Sequence, residues 1–205
     1  MRMRIQDFDR PAPSSKDRHA DILSAARDLF RLYGYEKTTV GDVARAVGYS
    51  PAYIYKFFES KQAIGEAVCQ SCLADLEDDL QRVAASSASP GARIITIFQM
   101  LASYAEELVR QDCKLKDMVV AAHDGKWRSF EAHDARLRTL IVLTIEAGRR
   151  SGEFERITPV EETVKAIFWV MEPLRNPGAW SDSAGSLKEQ ASALASLVLR
   201  SLNSR

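Results

Sequence analysis

The chain has 205 residues, enough for one large domain or two small ones, and its 46% apolar and 27% charged residues are ordinary for a globular protein. Its net charge is zero, no apolar run reaches the ~18–20 residues of a membrane-spanning helix, and the charged N-terminus does not resemble a secretory signal. Three cysteines, an odd number, indicate a reducing cytoplasm rather than a disulfide framework.

The charge is unevenly distributed along the chain. Residues 1–61 hold 11 Lys/Arg against 8 Asp/Glu, whereas residues 62–205 hold 17 against 20. A basic N-terminal part beside an acidic remainder is consistent with one surface that meets an anionic partner. The imbalance is small, so the interpretation depends on the motifs.

The first helix is predicted from an apolar stripe at positions i, i+4, i+7 and i+11, formed by Ile22, Ala26, Leu29 and Tyr33. Gly34 is placed to end this helix, because glycine readily adopts the conformation of a C-terminal cap. Residues 1–16 contain Pro and Ser and no apolar stripe, and they predict a flexible arm.

Two short helices follow. Thr38 or Thr39 can cap the first of them, and Gly48 is expected to end it in a tight turn that favours glycine. Ser50 is the predicted N-cap of the next helix, with Pro51 at its first position, where a missing N–H costs nothing.

A longer helical part begins after Ser60, the predicted cap of the fourth helix. Turn residues predict breaks at 86–91, 124–126, 151–152, 158–159 and 175–178. No segment alternates with period two for long enough to propose a sheet. We therefore predict an all-α protein of nine helices, with an N-terminal three-helix head (residues 17–61) and a larger six-helix body (residues 62–205).

The stretch from residue 48 to residue 61 contains five aromatic rings and two lysines. On a helix that advances about 100° per residue, Ile54 and Phe58 face inward and Phe57 lies at the boundary. The outward side is then formed by Ala52, Tyr53, Tyr55 and Lys56. Two helices joined by a glycine-containing turn form the helix-turn-helix arrangement, whose second helix lies in the major groove of DNA.

We predict three kinds of contact with double-stranded DNA. Tyrosine hydroxyls and the ammonium groups of Lys56 and Lys61 bind phosphates, while Ala52 and Tyr53 reach base edges. The starts of the two short helices also offer free backbone N–H groups to phosphates. The predicted DNA-binding residues are Thr39, Ser50, Pro51, Ala52, Tyr53, Tyr55, Lys56 and Lys61. The alternative is that these side chains are merely solvated.

A set of residues at fixed spacing carries a resemblance to a known family: Thr38, Thr39, Val40, Asp42, Val43, Ala44, Gly48, Tyr49, Ser50, Ile54, Tyr55, Phe58 and Lys61. They resemble the N-terminal domain of the TetR/AcrR family of transcriptional regulators, over residues 17–68. Phe57 departs from the pattern, because many members carry at this position a His that donates a hydrogen bond to a DNA phosphate. The resemblance implies a homodimer that reads a palindromic operator and a body that binds a small effector, most commonly to release the repressor from DNA.

The body offers a dimerisation surface and an effector site as further expectations. The apolar stripes of residues 159–171 and 187–202 are sufficient for a four-helix dimer bundle, although they could equally close the monomer core. Most aromatic side chains of the body are expected in the core. The residues predicted to line a site for an apolar or aromatic effector are Phe98, Tyr104, Trp127, Phe130 and Phe168.

Other reactive residues do not form a catalytic or metal-binding motif. Cys69 and Cys72 are a lone CxxC without further zinc ligands at suitable spacing, so packing is favoured over a redox or metal role. His123 and His133 lack the HExxH spacing, and His19 is expected on the surface. We predict no enzymatic activity, metal or cofactor. Two alternatives stay open: a constitutive DNA-binding protein without an effector, and a helical carrier or enzyme with a vestigial head.

Overall fold

The computed structural model of the chain describes residues 14–111, 113–181 and 186–203. Within these ranges the all-α class is confirmed, because no strand forms apart from an isolated bridge that pairs Phe154 with Asn203. No helix in the described ranges is long and apolar enough to cross a membrane. The α-helices are α1 (Ser15–Tyr33), α2 (Val40–Val47), α3 (Pro51–Ile54), α4 (Lys61–Ala85), α5 (Pro90–Gln111), α6 (Cys113–Asp124), α7 (Arg128–Ser151), α8 (Val160–Val170), α9 (Glu172–Arg175) and α10 (Leu187–Leu202), with a 3₁₀ helix at Pro177–Ser181.

The described part of the chain has ten α-helices rather than nine, and the body has seven of them rather than six. The four-residue helix α9 follows α8 directly, because Met171 between them keeps a right-handed helical backbone. Most of the predicted arm, residues 1–13, lies outside the described residues, and α1 already begins at Ser15.

The head packs around the inner face of α1. Ile22, Ala26 and Phe30 are buried there, whereas Tyr33 is exposed, so the predicted stripe was wrong at its last position. Phe30 occupies the inward position because its ring packs edge-on against Tyr35, with 5.3 Å between the ring centroids. Gly34 caps α1 as predicted.

Local hydrogen bonds set the turn between α2 and α3. Thr39, rather than Thr38, is the N-cap of α2, and the hydroxyl of Thr38 is turned inward to donate to the Gly34 carbonyl at 2.8 Å. Gly48 ends α2 with φ 73° and ψ 25°, the left-handed conformation that favours glycine. The turn leads into α3, whose first two residues, Pro51 and Ala52, are exposed.

The head meets the body at a crowded contact around Gly65 on α4. A Cβ added to Gly65 would lie 2.7 Å from the ring of Trp127 and 2.8 Å from the ring of Tyr35. Tyr35 belongs to the head and Trp127 precedes α7, and their rings pack edge-on at 5.1 Å. Lys114 of α6 also donates to the carbonyl of Leu32 at the end of α1.

The C-terminal helix α10 packs along α5 and closes the body. Its last turn is tied to the segment between α7 and α8, where the backbone N–H of Glu155 donates to the carbonyl of Leu202 at 2.7 Å. Phe154 beside this bond is buried against Gly148 of α7. The outer faces of α8 and α10 retain exposed apolar side chains, with Trp169 69% and Leu197 53% exposed.

Candidate DNA interface and ligand site

The outer face of α3 is built by its caps and by two buried anchors. The hydroxyl of Ser50 accepts a hydrogen bond from the Tyr53 N–H at 3.2 Å, and Pro51 occupies the first helical position, as predicted. Ile54 and Phe58 are buried, which confirms them as the packing residues. Since these anchors hold the inner side, the outer side presents exposed residues to solvent: Pro51, Ala52, Tyr55 and Lys56.

Tyr53 does not point freely outward, which corrects its predicted orientation. Its ring is half-buried between those of Tyr49, at 4.9 Å, and Phe57, at 5.4 Å. Its hydroxyl accepts a hydrogen bond from Nη1 of Arg18 at 2.7 Å. Arg18 lies in the first turns of α1 and had not been identified from the sequence.

The two predicted phosphate-binding lysines have different surroundings. Nζ of Lys61 donates to the carbonyl of Glu36 at 3.0 Å and lies 4.4 Å from the centre of the Tyr35 ring. Lys56 is exposed, with its Nζ 5.4 Å from the centre of the Tyr53 ring. Lys61 therefore stabilises the head in this structure, and Lys56 is the more accessible cation.

Thr39 starts α2 with a reciprocal pair of hydrogen bonds. Its hydroxyl donates to Oδ2 of Asp42 at 2.6 Å and accepts from the Asp42 N–H at 3.1 Å. The bonds from Thr39, first from its side chain and then from its backbone, hold the pKa of the Asp42 carboxyl below its usual value. Nη1 of Arg45 lies 3.0 Å from Oδ1 of Asp42 and adds an exposed cation to this face that the sequence motif does not mark.

The five aromatic residues predicted at the effector site do not form one cluster. Phe98 is fully buried in the core, Trp127 packs against the head, and Phe168 lies between two guanidinium groups, those of Arg138 and Arg175. Tyr104 and Phe130 alone among the five line a small cavity of about 20 Å³ in the body. The Tyr104 hydroxyl donates to the carbonyl of Cys72 at 3.1 Å, so it is already paired.

A second, open cavity lies between α4 and α7. This groove of about 250 Å³ is lined by Glu77, Leu80, Gln81, Ala84, His133, Arg136, Leu137, Thr139, Leu140 and Leu143. His133 also lines the small cavity, so this residue adjoins both cavities. Burial lowers the pKa of the His133 imidazole below its usual value, although Glu77 and Asp134 oppose that shift.

Cys69, His123 and His19 have structural surroundings. Burial raises the pKa of the Cys69 thiol to about 11, so the reactive thiolate is scarce at neutral pH. Nδ1 of His123 lies 3.0 Å from the carboxylate of Asp124. His19 is half-buried and stacks on Phe58 with 4.6 Å between ring centroids, so its predicted surface position was wrong.

Comparisons with solved structures identify the same architecture elsewhere. A transcriptional regulator of the TetR/AcrR family from Thermobifida fusca YX-ER1 has a TM-score of 0.67 and 21% identity, covering 89% of this chain and 97% of that chain. FadR from Bacillus subtilis, solved in complex with stearoyl-CoA, has a TM-score of 0.67 and 14% identity, covering 90% of this chain and 100% of that chain. At these identities the likeness concerns the fold.

Sequence comparisons agree with the fold. The repressor KstR2 of Rhodococcus jostii (strain RHA1), a helix-turn-helix protein, is 26% identical over 169 residues, which cover 78% of this chain and 81% of that protein. Residues 22–68, from within α1 to the second turn of α4, match the family model described as bacterial regulatory proteins, tetR family. The match over residues 22–68, the all-helical fold and the capped helix-turn-helix together support a TetR/AcrR-family transcriptional regulator.

Proposed function

We propose that the chain is a homodimeric repressor whose head, residues 17–61, binds a palindromic DNA operator and whose body, residues 62–205, binds a small effector that releases it. The observation that carries the proposal is the outer side of α3 and of the turn that follows it, where Ala52, Tyr55 and Lys56 are exposed beside the buried anchors Ile54 and Phe58. Small, aromatic and cationic side chains on such a helix suit base edges and phosphates in a major groove.

The proposed release mechanism follows from geometry. Two recognition helices of a dimer must lie one turn of DNA apart, about 34–36 Å, to enter successive major grooves. An effector that binds more tightly to a dimer with another spacing lowers DNA affinity by its difference in affinity for the two states. Helix α4 is the proposed connection, because it begins beside the head and runs through the body.

The proposed dimer face consists of α8 and α10. Monomeric proteins seldom expose large contiguous apolar patches, and the exposed Trp169 and Leu197 lie on these two helices. Pairing both helices with their copies across a two-fold axis would cover these side chains in a four-helix bundle.

Neighbours with the same fold support an apolar or aromatic effector. FadR of Bacillus subtilis was solved with stearoyl-CoA, and the neighbour RolR was solved with resorcinol. The constitutive alternative draws support from the cavity beside Tyr104 and Phe130, whose volume of about 20 Å³ suits a water molecule rather than an effector. The open groove between α4 and α7 favours the effector-responsive form.

The first experiment is a selection of genomic DNA fragments with the purified full-length protein, repeated across salt concentrations. We expect one palindromic site whose affinity falls steeply with salt. The matched variant is Tyr55→Ala plus Lys56→Ala, since both side chains are exposed and Lys61 has structural contacts. This variant should lose operator affinity with an unchanged melting temperature. Recovery of no fragment above random, from a folded protein, would overturn the proposal.

A further inference from the structure

The start of α3 presents two exposed side chains to a partner. Of the two residues predicted to reach base edges, Ala52 is exposed, whereas the ring of Tyr53 is half-buried between two other rings. The Tyr53 hydroxyl also accepts a hydrogen bond from Arg18 at 2.7 Å, which holds it within the head. Pro51, next to Ala52, is exposed as well. Pro51 and Ala52 are therefore the side chains of α3 that are open to DNA.

These two side chains are apolar and cannot hydrogen-bond to a base. Pro51 occupies the first helical position, where it also lacks a backbone N–H, and the side chain of Ala52 is a single methyl group. In a helix-turn-helix, the N-terminal residues of the second helix contact base edges in the major groove. At this part of the interface, the side chains can distinguish bases only through apolar contact.

Thymine is the base that offers an apolar group in the major groove. Adenine, guanine and cytosine present hydrogen-bond donors and acceptors there, whereas thymine presents a C5-methyl group beside its O4 acceptor. Removing this methyl group and an apolar side chain from water together is favourable. Ala52 and Pro51 are both compact, so the backbone of α3 can approach the base closely enough for such a contact.

The cation next to this pair has a different task. Lys56 is exposed four residues after Ala52, with its Nζ 5.4 Å from the centre of the Tyr53 ring. An ammonium group in this position suits a phosphate, and phosphate contacts fix the register of a protein on DNA without reading its sequence. Selectivity at the start of α3 therefore falls to the apolar pair.

We infer that Ala52, with Pro51 beside it, makes this face selective for thymine, by packing its methyl group against the C5-methyl group of one thymine in each half-site. This inference rests on the proposed function, because it names the base that the same face reads. Since the contact is apolar, the protein distinguishes thymine from uracil, which has the same hydrogen-bonding groups without the methyl group.

The test uses the selected operator with each thymine of the half-sites replaced in turn by uracil, which removes the methyl group and retains base pairing. Binding of the full-length protein to each duplex is measured by fluorescence anisotropy. We expect at least one replacement to weaken binding about three- to fivefold, the range for one buried methyl group. At one such position, Ala52→Gly should bind the thymine and uracil duplexes equally.

A second variant covers the case in which glycine unfolds the four-residue helix. Ala52→Ser keeps a side chain but places a hydroxyl against the methyl group, so the preference for thymine should fall below twofold. Lys56→Ala is the matched control, and it should weaken binding to both duplexes equally and lower the salt dependence while the preference persists.

Three results would overturn the inference. They are equal binding of the thymine and uracil duplexes by the wild type, a preference that survives unchanged in both Ala52 variants, and a preference that Lys56→Ala abolishes as well. A selected half-site without thymine would overturn it too.

The inference and the proposed function can fail separately. A protein that selects a palindrome but tolerates uracil at every position retains the DNA-binding function and loses the inference. A folded protein that selects no DNA loses the proposed function, and the assignment of thymine falls with it.

Discussion

Arg18 near the start of α1 donates from Nη1 to the hydroxyl of Tyr53 on α3, across 2.7 Å and 35 residues of sequence. The bond fixes the ring on which the Lys56 side chain lies. It therefore orders the outer face of α3 before any DNA is bound.

Tyr53→Phe should remove this bond and keep the ring contacts. We expect the free energy of unfolding to fall by about 0.5–1.5 kcal/mol, the net value of one hydrogen bond. Urea denaturation of Tyr53→Phe, Arg18→Ala and the double variant measures the coupling between the two residues. If the two losses simply add, the hydrogen bond contributes nothing in solution.

Lys61→Met should destabilise the head, because the half-buried Lys61 side chain has contacts within it. The substitution deletes the hydrogen bond to the Glu36 carbonyl and the contact with the Tyr35 ring, together about 1–2 kcal/mol. Lys56→Met is the control, since Lys56 has only a distant ring contact and its loss should cost less than 0.5 kcal/mol. Chemical denaturation compares the two variants, and equal effects would contradict the structural role of Lys61.

Gly65→Ala should be among the most damaging single-methyl substitutions in this chain. The new Cβ would lie 2.7 Å from the Trp127 ring, and we expect a loss of about 1–3 kcal/mol from overpacking. Gly41→Ala adds the same methyl to α2, where its nearest neighbour is 3.5 Å away, and should cause no loss. Melting temperatures that are alike in the two variants would show that the contact around Gly65 is loose.

Stability should fall as the pH decreases from about 7.5 to 5.5, in part because of His133. Its pKa in the folded protein is lowered below the usual value by burial, against the opposing charges of Glu77 and Asp134 and together with that of Arg175. The unfolded chain takes up a proton near pH 6.5 while the folded chain does not, so the stabilisation present above that pH is lost below it. His133→Phe should lessen the slope by up to about 1.4 kcal/mol per pH unit. Denaturation at several pH values measures it, and an unchanged slope would contradict burial of a neutral imidazole.

Charges placed on the proposed dimer face should separate the subunits. Trp169→Glu and Leu197→Glu each put a carboxylate at an apolar position of α8 or α10, and the weight-average mass in sedimentation should shift towards the monomer. Ile157→Glu is the control, because Ile157 is 92% exposed and lies between α7 and α8. A wild-type protein that sediments as a monomer would refute the proposed dimer.

Features set by neighbouring residues could be predicted from the sequence. The caps at Ser50 and Ser60 and the left-handed turn at Gly48 depend on bonds within about four residues, and all three are observed. The hydrogen bonds of Tyr53 and Lys61 could not be predicted in this way, because their partners Arg18 and Glu36 lie 35 and 25 residues away in the sequence. A helical period predicts an outward direction but not the remote group that meets the side chain there.

The candidate ligand site shows the same limit on what can be predicted from the sequence. A period of 3.6 residues indicates which side chains are inward, and Phe98 is indeed in the core. Cavities arise where packed helices leave a gap, which depends on the shapes of side chains from distant segments. The contact of His133 on α7 with Glu77 on α4 likewise becomes visible only when the two helices are placed together.

The bond between Glu155 and Leu202 also bears on the order of synthesis. The last turn of α10 holds the segment that leads into α8, so the two helices of the proposed dimer face depend on each other. Within the head, α2 packs against both α1 and α3, so these contacts are available early in synthesis. The proposed dimer face can therefore form only after both α8 and α10 have been synthesised.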